Sequence, residues 1–451
     1  MSKEVCLTRG SIMPQLIRLC LPLLCANVLQ QLYNIINSLV VTEYIGQDAF
    51  AALGIAESVM NLFIFAITGA CMGASVLIAQ FYGEGNMPKL RQQLYVSAVL
   101  MGGCTLTAVI LGQVFLPQLL HAIQTPEHLM ADASLYLRII LLGMIFTFSY
   151  NYLASTLRAV GDTKAALYFL LISLGYNLVC AWFLVAVLDW GIIGTAVATA
   201  TAQLLSSLLC LLYIKKRKAF LTVGREDMKL DRKLMGQTIS FAAVTALQQS
   251  SLYLGKLLIQ RAVNGISLIS SAPISAFSAA TRIENFAQAF GISGCEAAAI
   301  FIAQNKGAKQ EKRTLQGLVR GGTLIISTGI VLSFIMNLAS APLSAIFLGW
   351  EDPAAALCID YLKSISWFYV LSFTGHTFVS WYRGTGRINI TFWATTIQIA
   401  VRVVFTYLMV DALGLVAVSV ATGIGWVVIV LFQVTVFTLE RKGIWPKRQA
   451  V

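Results

Sequence analysis

The amino-acid sequence predicts an all-α integral membrane protein with twelve transmembrane helices in two repeated lobes of six. Three observations indicate this fold class: a scarcity of charge, a regular series of uncharged stretches, and an internal repeat. Only 52 of the 451 residues are charged (32 Lys and Arg, 20 Asp and Glu), 58% are hydrophobic, and the mean hydropathy is +0.77. Because a soluble domain carries about 25% charged residues, this composition excludes a soluble multidomain protein and a disordered chain.

Twelve long apolar stretches define the predicted helices. Each exceeds the roughly 20 residues that cross a bilayer, so several helices are long enough to tilt or to protrude. The predicted helices are 14–42, 49–82, 93–119, 129–157, 165–188, 191–214, 237–260, 272–303, 315–347, 354–382, 388–410 and 413–439.

The connecting segments differ sharply in positive charge. If the N-terminus is cytoplasmic, the segments on its side hold 24 of the 32 Lys and Arg residues, whereas the opposite loops hold only Arg261. The positive-inside rule therefore predicts a multi-pass protein of the cell membrane with both termini in the cytoplasm. The net charge of +12 is then a signal of topology, and we expect the lipid bilayer as a partner and no nucleic acid.

An internal repeat relates the two halves of the chain. IAQFYGEGNMPKLRQQL at 78–94 aligns without gaps on IAQNKGAKQEKRTLQGL at 302–318, an offset of 224 residues. Six helices in each copy give both copies the same orientation, and transporters built this way bind substrate between the copies and rock one against the other. The predicted divisions are an N-lobe (1–214), a cytoplasmic linker (215–236), a C-lobe (237–440) and a cytoplasmic tail (441–451).

Residues suited to catalysis or metal binding are sparse. The nine cysteines lack metal-ligand spacing and lie mostly in apolar helices, so we expect neither a metal site nor a disulfide framework. The sequence has no nucleotide-binding motif, which excludes an ATP-driven pump. The few intramembrane acids are scattered over different helices, whereas a membrane enzyme needs acids or histidines clustered on one face. We therefore expect a transporter, and neither an enzyme nor a receptor.

Four further motifs, together with the paired IAQ segments, carry a family resemblance. They are LYNIINSLVVTEYIGQDAFAALG (32–54), LRAVGDTKAALYF (157–169), GIIGTAVATATAQ (191–203) and SAATRIENFAQ (278–288). In these motifs, and over nearly its whole length, the chain resembles the multidrug and toxic compound extrusion (MATE) family. The resemblance implies a V-shaped molecule of two six-helix lobes that exports small, amphipathic, drug-like compounds by antiport with Na⁺ or H⁺, without another cofactor. We expect it to act as a monomer.

The chain departs from the family at the cation-coupling site of the N-lobe. Relatives usually carry Asp where this chain has Asn37, and usually carry Asp four residues after the position of Asn177, where this chain has Ala181. Thr199 matches the hydroxyl residue of the same site. Asn37, Asn177 and Thr199 still offer oxygen ligands, but they lack the anion that holds Na⁺ firmly and a group that titrates near neutral pH.

Charged residues at bilayer depth are functional candidates, because each costs at least about 2.5–3.5 kcal/mol. Glu284 matches the family's acidic position in helix 8, and Glu57 lies on the corresponding face of helix 2, so we expect one or both to couple transport to the cation. Two alternatives remain: Glu284 as a structural partner of Arg282 or another nearby cation, and Glu57 as an ordinary polar contact near the outer leaflet. Lys256 is expected to pair with Glu57 or Glu284, to contact an anionic part of a substrate, or to snorkel to the interface. For His376 both a proton relay and a satisfied core histidine stay open.

Polar residues at repeat-matched positions are candidates for lining a substrate cavity, although polar side chains also join transmembrane helices to one another. They are Gln30, Gln31, Tyr33, Asn61, Gln248, Gln249, Asn285 and Gln288. The main alternative function is a flippase of the same superfamily for a lipid-linked or anionic substrate, because Lys256 and the missing aspartates suit an anion better than a cationic drug.

Overall fold

The structure is a computed structural model that describes residues 7–44, 47–122, 125–266 and 272–444. Over these ranges the regular elements are helical. The main helices are α1 (Ile12–Tyr44), α2 (Gln47–Glu84), α3 (Met87–Ala122), α4 (Glu127–Ala159), α5 (Thr163–Trp182), α6 (Gly191–Arg217), α7 (Arg232–Ile266), α8 (Ala272–Gly307), α9 (Glu311–Leu338), α10 (Ser340–Leu348), α11 (Pro353–Ser366), α12 (Tyr369–Gly384), α13 (Ile388–Leu413) and α14 (Val416–Arg441).

These helices confirm the predicted fold class. Within the described ranges, ten helices are long and apolar enough to cross a membrane, or eleven if the bent pair α11–α12 counts as one span. The remaining predicted span corresponds to α7, which is 35 residues long. Its sequence includes Gln248, Gln249, Lys256 and Gln260, which lower the apolarity of the helix.

The repeat is visible in the helix boundaries. α3 begins at Met87 and α9 at Glu311, an offset of 224, the same as in the sequence alignment. α6 and α14 begin at Gly191 and Val416, an offset of 225. The starts of these helices therefore keep the spacing of the sequence repeat.

Two predicted helices of the second half are each divided in two. The predicted helix 315–347 ends as α9 at Leu338 and resumes as α10. Pro342 contributes to the break, since its ring lacks an amide hydrogen and clashes with the carbonyl four residues earlier, that of Leu338. Pro117 stands at the matching position of the first half, inside an uninterrupted α3.

The predicted helix 354–382 is also two helices, α11 and α12, which meet at an angle of 52°. Ser366 at the end of α11 donates its hydroxyl to the carbonyl of Lys363 at 2.7 Å, a local bond that competes with the helical pattern. After the break, the ring of Phe368 occupies the space left by the missing side chain of Gly423 on α14. The bend therefore seats an aromatic ring against α14.

The chain forms two compact units. The first is formed mainly by Cys25–Gln249, and the second by Leu7–Leu24 together with the chain from Ser250 onward. The first part of α7 packs in the first unit, where Gly73 of α2 leaves room for the backbone of Phe241. The first part of α1 belongs to the second unit, in which Arg313 of α9 donates to the carbonyl oxygens of Leu7 and Gly10 at 3.0 and 2.7 Å.

The segment predicted as a linker packs against the first unit. It contains two short 3₁₀ turns, Ala219–Leu221 and Arg225–Asp227. Asp227 accepts a hydrogen bond from Arg91 of α3 at 3.0 Å, and the ring of Phe220 stacks on Tyr82 with centroids 5.9 Å apart. The connection between α6 and α7 is therefore an ordered part of the first unit.

Candidate functional site

The first unit contains a chain of hydrogen bonds between three helices. The hydroxyl of Tyr33 on α1 donates to Asn177 Oδ1 on α5 at 2.6 Å. Asn177 Nδ2 donates to Thr199 Oγ1 on α6 at 3.3 Å, and the Thr199 hydroxyl donates to the carbonyl of Thr195 at 2.9 Å. Asn177 is buried, with 4% of its surface exposed. Three residues that the sequence singled out thus meet in one place.

A carboxylate lies beside this chain. Glu57 on α2 is half-buried, and its charge acts on Tyr33 of α1 and on Tyr136 of α4. Tyr136 is 4% exposed and belongs to an apolar cluster with Leu53 and Ala56, which lie on the same helix as Glu57. We name Tyr33, Glu57, Tyr136, Asn177 and Thr199 the N-unit cluster. Asn37 lies on α1, but its side chain is outside the described residues.

The second unit contains a corresponding group of charged residues. The hydroxyl of Tyr361 on α11 donates to Glu284 Oε2 on α8 at 3.0 Å, and Tyr361 is fully buried. Arg402 on α13 and Lys256 on α7 lie within electrostatic range of the same carboxylate. We name Lys256, Glu284, Tyr361 and Arg402 the C-unit cluster. Lys256 is thus near Glu284, one of the two partners that the sequence suggested for it.

Close packing of α7 on α13 brings the two cations of this cluster together. Gly255 faces Ile399, and a Cβ atom at Gly255 would lie 2.6 Å from Ile399 Cγ2. A further contact joins the same helices, because the Tyr407 hydroxyl donates to the carbonyl of Leu258 at 3.3 Å. The glycine therefore permits the approach that places Lys256 beside Arg402.

A network of hydrogen-bonded polar side chains lies one turn beyond Glu284 along α8. Gln288 Nε2 donates to Ser372 Oγ on α12 at 3.2 Å, and Gln288 Oε1 lies 3.2 Å from His376 Nε2. This contact supports the reading of His376 as a hydrogen-bonded core histidine, half-buried between α8 and α12. Gln288 and His376 thus contact each other, as part of the packing between two helices.

The other predicted cavity residues lie outside these hydrogen bonds. On α1, α2, α7 and α8 the structure places five of them as half-buried side chains: Gln30, Gln31, Asn61, Gln249 and Asn285. Gln248 is buried, with 3% of its surface exposed. Whether these residues face a substrate stays a prediction.

The repeat relates the two clusters to each other. An offset of 225 residues places Tyr136 on Tyr361 and Asn177 on Arg402. The carboxylates are on equivalent helices, and at the offset of 224 found for the IAQ segments Glu284 lies three residues beyond the equivalent of Glu57. Tyr136, Tyr361 and Arg402 were not among the site residues predicted from the sequence. Comparing residues at positions matched by the repeat offset would have identified them.

The two clusters differ in their chemistry. The N-unit cluster combines one carboxylate with hydroxyl and amide oxygens, the ligand types that hard cations prefer. The C-unit cluster sets one carboxylate against a guanidinium and a lysine amine, so its basic groups outnumber its acidic group. Among the described residues, no group of three His, Cys, Asp or Glu side chains is arranged to hold a metal ion.

Curated proteins are similar to this chain in sequence. Among curated proteins, the probable multidrug resistance protein YoeA of Bacillus subtilis (strain 168) is 25% identical over 385 residues, covering 84% of this chain and 82% of the relative. The probable multidrug resistance protein NorM of Thermotoga maritima is 26% identical over 462 residues, covering 96% of this chain and 93% of the relative.

Solved structures match the fold over almost the full length. A crystal structure of MATE in complex with MaL6 has a TM-score of 0.90 at 20% sequence identity, covering 98% of this chain and 99% of that chain. A MOP superfamily transporter from Pyrococcus furiosus has a TM-score of 0.88 at 20% identity, covering 98% of both chains.

A family model supplies the most direct assignment. The MatE model matches the chain twice, over residues 22–183 and 245–408, which together make up more than half of the sequence. The two matches fall in the two halves of the internal repeat. The chain therefore belongs to the MatE family, the multidrug and toxic compound extrusion transporters that its motifs resemble.

Proposed function

We propose that this transporter exports small, amphipathic organic compounds from the cytoplasm by antiport with H⁺ or Na⁺. It acts as a monomer in the cell membrane with both termini in the cytoplasm. Transport proceeds by alternating access of a site between the two repeats, as expected for carriers built from parallel repeats. The names of its sequence relatives support a multidrug substrate range.

The observation that carries this proposal is the N-unit cluster. Tyr33, Asn177 and Thr199 offer oxygen atoms from three helices, linked by hydrogen bonds at 2.6 and 3.3 Å. Glu57 supplies the negative charge that the family's missing aspartates supply in other members. A cation that binds there neutralises a charge at membrane depth, and its release restores that charge, so occupancy biases one conformation over the other.

Glu57 is the better placed of the two carboxylates for this role. Glu284 already lies in the field of Lys256 and Arg402 and accepts a hydrogen bond from Tyr361, so a further cation meets repulsion there. Glu57 is accompanied by neutral hydroxyl and amide groups. In this scheme Glu57 binds the coupling cation, and Glu284 organises the second unit.

Inside-out membrane vesicles test the proposal directly. Ethidium uptake is followed by fluorescence after a H⁺ gradient or a Na⁺ gradient is imposed separately. Uptake that follows one gradient and stops when an ionophore dissipates it identifies the coupling ion. Ethidium uptake that does not depend on either gradient would refute antiport. Glu284→Gln is expected to retain gradient-dependent uptake at a reduced rate, which distinguishes a positioning role from coupling.

A flippase for a lipid-linked or anionic substrate is the alternative. The positive C-unit cluster is the observation that favours it, since lipid phosphates are anions. This alternative predicts that ethidium is not accumulated under either gradient, and that lipid-linked saccharide is translocated in proteoliposomes.

A further inference from the structure

We propose that Arg402 and Lys256 form a subsite for the carboxylate of the transported compound, so that the protein prefers organic acids and zwitterions over purely cationic drugs. This inference rests on the proposed export function and specifies its substrate class. The subsite lies wholly within the second unit, at the contact between α7 and α13.

The charge balance of the C-unit cluster is the first argument. Two basic side chains stand on α7 and α13, and a single carboxylate, Glu284, stands on α8. Among the described residues, the phenols of Tyr361 on α11 and Tyr369 on α12 also lie in electrostatic range of this carboxylate. With both basic groups protonated and Glu284 ionised, the cluster carries one excess positive charge. A ligand with one negative charge restores neutrality.

The depth of these residues is the second argument. Lys256, Glu284 and Arg402 each lie ten to twelve residues from one end of their helices, about 15–18 Å along the axis at 1.5 Å per residue. That distance is well beyond the reach of a lysine side chain to the interface. A charge at this depth is tolerated where it faces the bundle interior or a water-filled space. The Lys256 side chain is exposed at the surface of its unit, so it is available to a ligand.

The hydrogen bonding of Arg402 is the third argument. Its Nε atom is buried and has no hydrogen-bond partner within the described part of the chain. By contrast, the repeat-equivalent Asn177 is held by Tyr33 and Thr199. A guanidinium presents paired N–H donors that match the two oxygens of a carboxylate. The exchange of Asn for Arg at matched positions thus gives the two units opposite preferences, a cation in the first and an anion in the second.

The excess of one positive charge in the C-unit cluster favours a ligand with one negative charge. A carboxylate carries one negative charge, which balances the cluster. A phosphate monoester or pyrophosphate carries more charge and leaves the cluster negative. The expected substrate therefore joins a planar apolar body to one carboxylate, with or without a separate amine.

A pair of dyes tests the subsite. Rhodamine B has a free carboxylate, and its ethyl ester has the same ring system and cationic charge without that group. Fluorescence anisotropy with the purified full-length protein is expected to show the acid binding roughly tenfold more tightly than the ester, as for one charge-assisted hydrogen-bonded contact. Lys256→Gln and Arg402→Gln should each abolish this preference by weakening the binding of the acid relative to the ester. Lys233→Gln, an exposed position on the same helix as Lys256, should retain the preference.

The outcomes separate the subsite from the export proposal. Equal affinities for acid and ester, or a preference that persists in both variants, would overturn the subsite even if vesicles accumulate the ester under an ion gradient. A preference that depends on Lys256 and Arg402 would establish the subsite even if neither dye follows a gradient, and antiport would then be wrong. Size-exclusion elution at the wild-type volume is required of each variant, and Lys256→Gln alone suffices if Arg402→Gln fails to fold.

Discussion

Tyr361 holds Glu284 in place within the C-unit cluster. Its hydroxyl donates to the carboxylate at 3.0 Å, and its ring packs edge-on against Phe277 with centroids 6.1 Å apart. The bond occupies one carboxylate oxygen and so limits how completely Glu284 can pair with the neighbouring cations. At the scale of single residues, this one hydroxyl keeps positive charge available for a ligand.

Tyr361→Phe should therefore reduce the affinity for the rhodamine acid by several-fold without changing that for the ester. The freed carboxylate pairs more fully with Arg402 and Lys256 and competes with the ligand. Loss of one hydrogen bond should also lower the unfolding free energy by about 1 kcal/mol, seen as a lower thermal unfolding midpoint. Tyr168→Phe is the control, because Tyr168 is 61% exposed. An unchanged affinity ratio would show that Tyr361 does not position Glu284.

Residue types and spacing predicted part of the two clusters. The resemblance to the family identified Asn177, Thr199 and Glu284, and the helix-2 carboxylate Glu57 followed from the repeat. No sequence pattern identifies Tyr361, because its role depends on a hydrogen bond from its hydroxyl on α11 to Glu284 on α8. Arg402 was not predicted as a site residue, since its relation to Lys256 depends on the packing of α7 against α13.

At the scale of helices, Gly255 determines how closely α7 approaches α13. A Cβ atom at this position would lie 2.6 Å from Ile399 Cγ2, closer than two such atoms can be. A larger residue must push the helices apart at the level of Lys256 and Arg402. The separation of the two cations thus depends on a residue that has no charge of its own.

Gly255→Ala should destabilise the protein by about 1–3 kcal/mol through overpacking and weaken the binding of the rhodamine acid. A second substitution, Ile399→Ala, makes room for the new methyl group and should restore much of both losses, a coupling that a double-mutant cycle measures. Gly236→Ala on the same helix is the control, because a Cβ atom there has open space. Additive effects of the two changes would contradict direct contact at Gly255.

In each unit an ion pair joins the start of one helix to the end of the next. The acidic and basic partners are exchanged between the two units. In the first unit, Asp162 before α5 accepts from Tyr213 at 2.8 Å and lies 3.7 Å from Lys218 after α6. In the second unit, the repeat-equivalent residue is Arg387 before α13, which pairs with Glu440 near the end of α14. Each repeat thus joins the same pair of helices by an ion pair with the signs exchanged, although Lys218 and Glu440 are not at matched positions.

Glu440→Arg should lower the thermal unfolding midpoint strongly, since breaking a buried ion pair costs about 3–5 kcal/mol and Glu440 is only 4% exposed. The double variant Arg387→Glu with Glu440→Arg reproduces the polarity of the first unit and should recover much of the loss. Lys218→Gln should cost less, because Asp162 keeps its bond from Tyr213. A double variant no more stable than Glu440→Arg alone would show that charge pairing is not what joins these ends.

Apolar stretches predicted the position of most helices, but not their interruptions. The break between α9 and α10 involves Pro342, yet the matching Pro117 lies within the continuous α3, so the proline alone did not predict it. The bend between α11 and α12 depends on Phe368 and Gly423, which are distant in sequence. Interruptions of this kind depend on tertiary packing and leave no periodic signal.

At the scale of the whole molecule, gene duplication provides two similar units whose central chemistry has diverged. The repeat preserved a carboxylate on helices α2 and α8 and a tyrosine at a matched position in each unit. The exchange of Asn177 for Arg402 gave the second unit its positive charge. The sequence predicted the duplication and the class of transporter, whereas the opposite character of the two clusters emerged from contacts between helices.

The central claim is that Glu57 couples export to the cation gradient. The most direct measurement is ethidium uptake by inside-out vesicles under an imposed H⁺ or Na⁺ gradient, with wild type, Glu57→Gln and Glu84→Gln at equal expression. Glu84 is an exposed residue at the end of the same helix. We predict that Glu57→Gln abolishes gradient-driven uptake and that Glu84→Gln retains it. Gradient-driven uptake by Glu57→Gln at the wild-type rate would contradict the claim.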